Sequence, residues 1–428
     1  MNNNKLDSQW FTELHHVCID EVLYFRVPGK DNAVQRRHFI QNEIENPELH
    51  YEHLAGMPFG DIETRLKNLR GRIQDEEKNE VVCDLYTRKI ENQILRYQLL
   101  KHSSRGDDHA FTHTSSLLYG SAERKMYAYV CTRIDAKIAV HAEVLPRTSL
   151  HTLEKTVSRF RNDTHVIEPL QCVSADPESI VLKDANHARD IFRTTLLKYH
   201  IPNWKVVIDD TGVRSRFSVS QMEQTVYVPA TEHLERRLHP LTELNVRALA
   251  EHEIGVHVRR REEARKSPLR LLEIGLDRYI KGEEGVAAYY QQRIEGSAEY
   301  YGIDRYFALS LALGIDGTPR DFRGVFEIMY EYYILELADT YKDEEFRMSN
   351  AAHVAFEVCM RIFRGTTGKS CGVAFTRDNV YLVGNIDIWA LVGQNPLFEK
   401  YFLLGKYDPT NERHIEALAE LEILTFER

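Results

Sequence analysis

The sequence lacks any long apolar run: nothing in it approaches the ~18 residues that a membrane-spanning helix needs, so no membrane role is expected. Its start, MNNNKLDSQW, has no basic segment followed by an apolar one, so a secretory leader is not expected either. Cysteine is sparse. The six residues at 18, 83, 131, 172, 359 and 371 form no C-x-x-C pair, which suits reduced thiols in a cytoplasm rather than a disulfide frame. Positive charge is in deficit, with 55 Lys and Arg against 65 Asp and Glu for a net charge of −10, and general nucleic-acid binding is disfavoured. Internal repeats and low-complexity segments are absent. What is present is an ordinary globular balance, 43% hydrophobic and 28% charged over 428 residues. That is enough for a large core and for two or three domains.

The apolar spacing is helical over 10–25, 33–44, 60–73 and 80–101, which predicts a helical N-terminal region over 1–120. Residues 127–144 fit helix and strand equally well. Helices are predicted over 150–160 and 184–200. The pattern then changes. WKVVIDD (204–210), RSRFSVSQ (214–221) and QTVYVPA (224–230) are rich in β-branched and aromatic residues and read as a small sheet. Pro229 ends the last of these strands and suggests an edge, where an extended peptide could add as a further strand. Helices follow over 300–313, 321–341 and 350–362, and VAFTR and NVYLVG read as strands. The aromatic run at 329–341 reads as core. The fold class is α+β and mostly helical, with a second region over 121–428.

The chain is organised around LTELNVRALAEHEIGVHVRRR, residues 241–261. His252, Glu253 and His257 form H-E-x-x-x-H. Imidazoles bind zinc through neutral nitrogens, and a neighbouring carboxylate can take a proton from activated water. This spacing is one residue longer than H-E-x-x-H. On a regular helix, positions i and i+4 lie about 40° apart but i and i+5 about 140° apart. Both imidazoles can meet one ion only if the helix is distorted, and Gly255 would ease such a bulge. Thr242 is the expected N-cap, with Glu243 in the first turn. Arg259, Arg260 and Arg261 read as solvent-exposed complements to the helix dipole. A third ligand is needed, and KGEEGVAAYYQQ (281–292), which reads as a helix start, offers Glu283 and Glu284. His109 and His113 have i,i+4 spacing, but with no carboxylate beside them they read as solvated or capping residues.

HEIGVH followed by EEGVA resembles the QEGLA-motif proteins, the family of the microtubule-associated tyrosine carboxypeptidases (MATCAP). NPELHY (46–51), SSLLYG (115–120) and RIFRG…AFTRDNVYLVG (361–384) share the resemblance, which therefore covers most of the chain. Glu283 stands where the bacterial motif has Gln, and Val286 where it has Leu. The resemblance implies a zincin-like catalytic core and Zn2+ held by His252, His257 and Glu284, the glutamate that precedes the glycine. Glu253 would be the catalytic base. It further implies removal of a C-terminal tyrosine or phenylalanine from the tail of a peptide or protein partner. On a chain of net charge −10, an acidic tail would need local cations to receive it.

A carboxypeptidase needs a cation for the terminal carboxylate, and arginine grips one bidentately. Arg361, Arg364 and Arg377 are the candidates, with Lys369 behind them, and Arg364 and Arg377 are favoured for substrate binding. Tyr381, Tyr289 and Tyr290 are candidate donors to the oxyanion. Two other readings stay open. A dipeptidyl-peptidase-like aminopeptidase also uses H-E-x-x-x-H, but it needs acidic or amide groups for a free N-terminus. Bacterial relatives have been named as regulators of flavohaemoglobin expression, a role compatible with a dead site; retention of Glu253 speaks against one.

Overall fold

The computed structural model describes residues 5–25, 29–141, 150–160, 167, 170, 180–211, 216–221, 223–235, 241–297 and 299–425. Cys172, residues 142–144 and residues 214–215 lie outside these. The first half is helical: α1 Ser8–His15, α2 Gly29–Ile40, α3 Phe59–Glu76, α4 Glu80–Arg105, α5 Asp108–Tyr119, α6 Arg124–His141, α7 Leu150–Ser158 and α8 Ala185–Lys198. The ambiguous stretch at 127–144 lies largely within α6. The predicted helix at 10–25 is instead α1 plus a short 3-10 turn, Glu21–Phe25. Local chemistry sets several boundaries. Asn79 caps α4 by accepting from the Val82 N–H, and Gly106 ends it in the left-handed conformation. Asp107 then caps α5.

A three-stranded sheet follows, with β1 Lys205–Asp209, β2 Ser218–Ser220 and β3 Thr225–Pro229 in the order β1-β3-β2. β3 runs parallel to β1 and antiparallel to β2. The expected edge position of the last strand is therefore wrong: β3 is central. Pro229 is tolerated there because the register puts it opposite Asp209, at the end of the ladder.

The remaining helices are α9 Thr231–Glu235, α10 Glu243–Ala250, α11 Arg259–Lys266, α12 Leu271–Ile274, α13 Ile280–Glu295, α14 Ile303–Leu313, α15 Phe322–Glu336, α16 Glu344–Phe363, α17 Asn379–Gln394 and α18 Glu412–Glu420. NVYLVG, read as a strand, opens α17, and VAFTR leads into a 3-10 turn, Thr376–Asp378. Tertiary packing overrides the β propensity of these residues, because Val380, Leu382 and Ile388 are buried on faces of a helix lying along α13. The protein is mostly helical with one small sheet. One apolar cluster joins Phe39 and Phe111 to Phe322, Phe356 and Phe375, so residues on both sides of position 120 share it. A smaller cluster, with Phe192, Val226, Val228, Val246, Ala250, Ile254 and Val258, lies between α8, the sheet and the helix that carries the histidines. Among the described residues no helix is long and apolar enough to cross a membrane.

Candidate metal centre

Thr242 caps α10 as the sequence suggests. Its hydroxyl accepts from the Asn245 N–H, and the Asn245 side chain answers the Thr242 N–H in a capping box. From Glu251 to Val258 the backbone then becomes a π-helix, before α11 resumes the regular coil. The wider turn does what the six-residue spacing demands. It brings His252 and His257 onto one face, with ring centroids 5.0 Å apart. Gly255 leaves room for a side chain: a Cβ there would overlap the carboxylate of Glu251, which accepts from Lys198 and Tyr199.

α13 supplies the carboxylates, and a close helix crossing sets its position. A Cβ on Gly285 would overlap the Gly384 carbonyl, and one on Gly384 would overlap the Lys281 carbonyl. Glycine at both positions lets α13 and α17 approach backbone to backbone. The crossing is locked by the Gln292 carboxamide, which accepts from Asn385 and Trp389 and donates to the Glu299 carbonyl. Glu284 and Tyr381 sit beside this crossing.

One Glu284 oxygen, Oε2, lies 3.8 Å from His252 Nε2 and 3.8 Å from His257 Nε2. The three donors converge, with ligand atoms within 4.8 Å of one another, and no other such group occurs among the described residues. His109 and His113 are exposed on α5. Donors on a tetrahedral ion at ~2.0–2.2 Å stand roughly 3.4 Å apart, so the spacing suits a single metal ion. Glu283 plays a different part. Its Oε1 is 2.8 Å from His257 Nδ1 and 3.4 Å from Lys406 Nζ. Burial raises the Glu283 pKa, but Lys406, His257 and Arg260 outweigh it and keep the group ionised. An ionised carboxylate only accepts, so Nδ1 carries a proton, which leaves Nε2 as the nitrogen that a metal ion would take.

The electrostatics are lopsided. Burial, with the charge of His257, pushes His252 down to about 3. Burial would lower His257 too, but the bond to Glu283 and the charges of Glu284, Glu283 and Glu253 carry it up to about 9. Burial raises Glu253 to about 7, His257 opposing and Glu284 assisting. Its carboxylate has no hydrogen-bond or ion-pair partner among the described residues. Three carboxylates thus crowd one imidazole, an excess of negative charge that a dication would balance.

The three consecutive arginines differ from expectation. Arg260 is fully buried, donating to the Gly405 and Tyr407 carbonyls, because these loop carbonyls behind the metal helix have no partner within a helix or strand. Arg259 lies over the Tyr199 ring and Arg261 donates to the Gln221 carbonyl.

The C-terminal arginines surround Tyr381. Arg361 Nε binds Asp378 at 2.8 and 2.7 Å. Arg377 binds Asp20 at 2.7 Å and Glu21 at 3.0 Å, both through Nη1, so its charge is offset by two carboxylates. Arg364 stacks on Phe375 with its Nε buried and unpartnered, and burial lowers it to about 10. Lys369 pairs with Glu48 at the surface. Tyr381 is half-buried and close enough to Glu284 for that carboxylate to raise its pKa, second only to desolvation. Tyr289 instead faces Glu399 and Arg293, and Tyr290 lines a separate surface pocket. Sequence reasoning passed over Arg305, whose guanidinium lies 4.8 Å from the Tyr381 ring centroid. The signal available was an arginine in the first turn of a helix opened by Gly302.

No curated protein and no solved structure matches the chain. The family model described as microtubule-associated tyrosine carboxypeptidase matches residues 36–428, nearly the whole sequence. The resemblance carried by HEIGVH and EEGVA thus extends from α2 to the C-terminus, and the chain belongs to the microtubule-associated tyrosine carboxypeptidase family.

Proposed function

We propose that the protein is a zinc metallocarboxypeptidase with a zincin-like core, removing a C-terminal tyrosine or phenylalanine from a peptide or protein tail. The observation that carries this reading is the π-turn, which sets His252 and His257 each 3.8 Å from one oxygen of Glu284. His252, His257 and Glu284 would hold the ion, with Glu283 fixing the tautomer of His257. Zinc in this place would polarise the scissile carbonyl and acidify a water. Glu253, next to the first ligand and free of partners, takes the proton from that water and returns it to the leaving amine. Tyr381 lies on the Glu284 side and is read as a donor to the oxygen that gains charge.

The family supports a carboxypeptidase, and the charges around the site agree. An aminopeptidase needs free carboxylates or amides for the substrate ammonium, whereas the unpartnered groups beside Tyr381 are guanidiniums. The test is an acidic peptide ending in tyrosine, offered as free acid and as C-terminal amide and followed by mass spectrometry. Loss of one tyrosine from the acid alone, abolished by a chelator and restored by zinc, is expected. Internal or N-terminal cleavage, or indifference to the chelator, overturns the reading.

A further inference from the structure

Four arginines, Arg305, Arg361, Arg364 and Arg377, gather at Tyr381, and their partners separate them. Asp378 takes Arg361, and Asp20 with Glu21 takes Arg377. Arg305 and Arg364 have no carboxylate partner among the described residues. Arg305 is brought to its place by packing. Gly302 has φ +87°, and a Cβ there would lie 2.9 Å from Tyr381 Cβ. The first turn of α14 is thereby pressed against α17. The Arg305 guanidinium lies 4.8 Å from the Tyr381 ring centroid and 5.6 Å from that of Tyr301. Stacking on rings fixes the plane of a guanidinium and leaves its N–H edge free for a planar anion. Tyr381 adjoins Glu284, and the charge of Arg305 also reaches His252. The Arg305 guanidinium therefore lies near the histidine side of the cluster.

We propose that Arg305, stacked on Tyr381 and Tyr301, is the residue that grips the substrate's terminal carboxylate, with Arg364 reinforcing the positive charge behind it. The inference rests on the carboxypeptidase reading above. It answers how a chain of net charge −10 receives an anionic tail: the local field at Tyr381 is positive because two guanidiniums are left uncancelled. It also gives a reason for release of a single residue, since a carboxylate anchored one residue from the ion leaves only the last peptide bond in reach.

The experiment is a cycle between enzyme and substrate. kcat/KM is measured for wild type and Arg305→Gln on the tyrosine-ended peptide as free acid and as amide, with zinc content measured for both proteins. Removing one partner of a close charge pair typically costs a hundredfold or more in binding. Wild type is therefore expected to prefer the acid by at least about a hundredfold. Arg305→Gln should lose that preference with its zinc retained, and a KM rise should account for most of the loss. A variant that keeps the full acid-over-amide preference overturns the assignment of Arg305 while leaving the carboxypeptidase reading intact. A wild type that cleaves acid and amide equally overturns the carboxypeptidase reading itself, and Arg305 with it. If Arg305→Gln does not fold, Arg305→Lys serves. It keeps the charge but not the fork, so a reduced acid preference supports the proposal and an unchanged one opposes it.

Discussion

The two poles of this site use the same kinds of charged side chain and finish in opposite states. At the histidine pole, Glu253, Glu283 and Glu284 surround His257, with Lys406 and Arg260 offsetting Glu283. At the arginine pole, Asp378, Asp20 and Glu21 are each held by a guanidinium, and the residual charge is positive. Most of these groups are half-buried or buried at both poles. The difference is in pairing: ion-paired groups such as Asp378 and Arg361 hold helices together, while groups without an ion-pair partner among the described residues, such as Glu253 and Arg305, are left for something not in the chain. Residue type alone does not make this distinction. Arg361, Arg364 and Arg377 look equally good as clamps in the sequence, and their partners separate them.

The sharpest way to break the comparison is Glu253→Gln. The residue has no partner to lose, so folding and metal content should be unchanged. A positioned base is worth ~10²–10⁴-fold, so turnover should fall at least about a hundredfold. Glu284→Gln should instead weaken metal binding, because a neutral amide is a poorer zinc ligand. Zinc content and turnover measured side by side decide between the roles. Loss of metal in Glu253→Gln with metal and activity kept in Glu284→Gln would reverse them.

Asp378→Asn tests the opposite pole and should cost stability. Asp378 is 1% exposed while Arg361 keeps 22% of its side chain in solvent, so stranding that arginine should cost about 3 kcal/mol, the lower end for a buried pair. Burial raises the Asp378 pKa, but Arg361, Arg364 and Arg305 overcome it and hold the carboxyl at about 2. The sign follows. A carboxyl whose folded pKa lies below its unfolded value of ~3.9 stabilises the fold above that value. The contribution, about 2.6 kcal/mol, is lost as pH falls from ~3.9 through the folded value. Urea unfolding should therefore show a wide gap between wild type and variant at pH 6 that narrows by pH 3. A gap independent of pH would mean that the ion pair is not its source.

The sequence made the histidine pole legible because its constraint is local. Two histidines at i and i+5 on one helix can meet one ion only where the helix widens into a π-turn, and Thr242 announces where that helix starts. The arginine pole was not legible, because its meaning is in contacts between distant segments. Arg305 is an unremarked helix residue until Gly302 presses α14 onto Tyr381. Arg260 reads as exposed until residues 405–407, about 145 positions away, return to cover it. NVYLVG has the composition of a strand, and only its burial along α13 makes it a helix. The central place of β3 depends on a parallel pairing with β1 that no local pattern encodes.

The smallest effect should come from Gly255, set against Gly285. Both glycines adjoin the histidine pole, but an added Cβ meets different obstacles. At Gly285 it meets the Gly384 carbonyl, which is backbone held in the α13–α17 crossing. Gly285→Ala should therefore cost about 1–3 kcal/mol, as overpacking does, and should reduce activity by displacing Glu284 from the histidines. At Gly255 the Cβ meets Glu251 Oε2, the oxygen that accepts from Tyr199, at the end of a flexible side chain that can swing away from Tyr199 and from Lys198, itself 57% exposed. Loosening such a pair costs at most ~1 kcal/mol. Alanine returns about as much, because glycine is worse in a helix by ~1 kcal/mol. Gly255→Ala should thus leave the unfolding midpoint nearly unchanged, with zinc bound and the tyrosine-ended peptide still cleaved. That outcome would assign the π-turn to packing of Ile254 and Val258 on the sheet and Val256 towards α13. Loss of zinc in Gly255→Ala, with the fold intact, would assign it instead to the glycine.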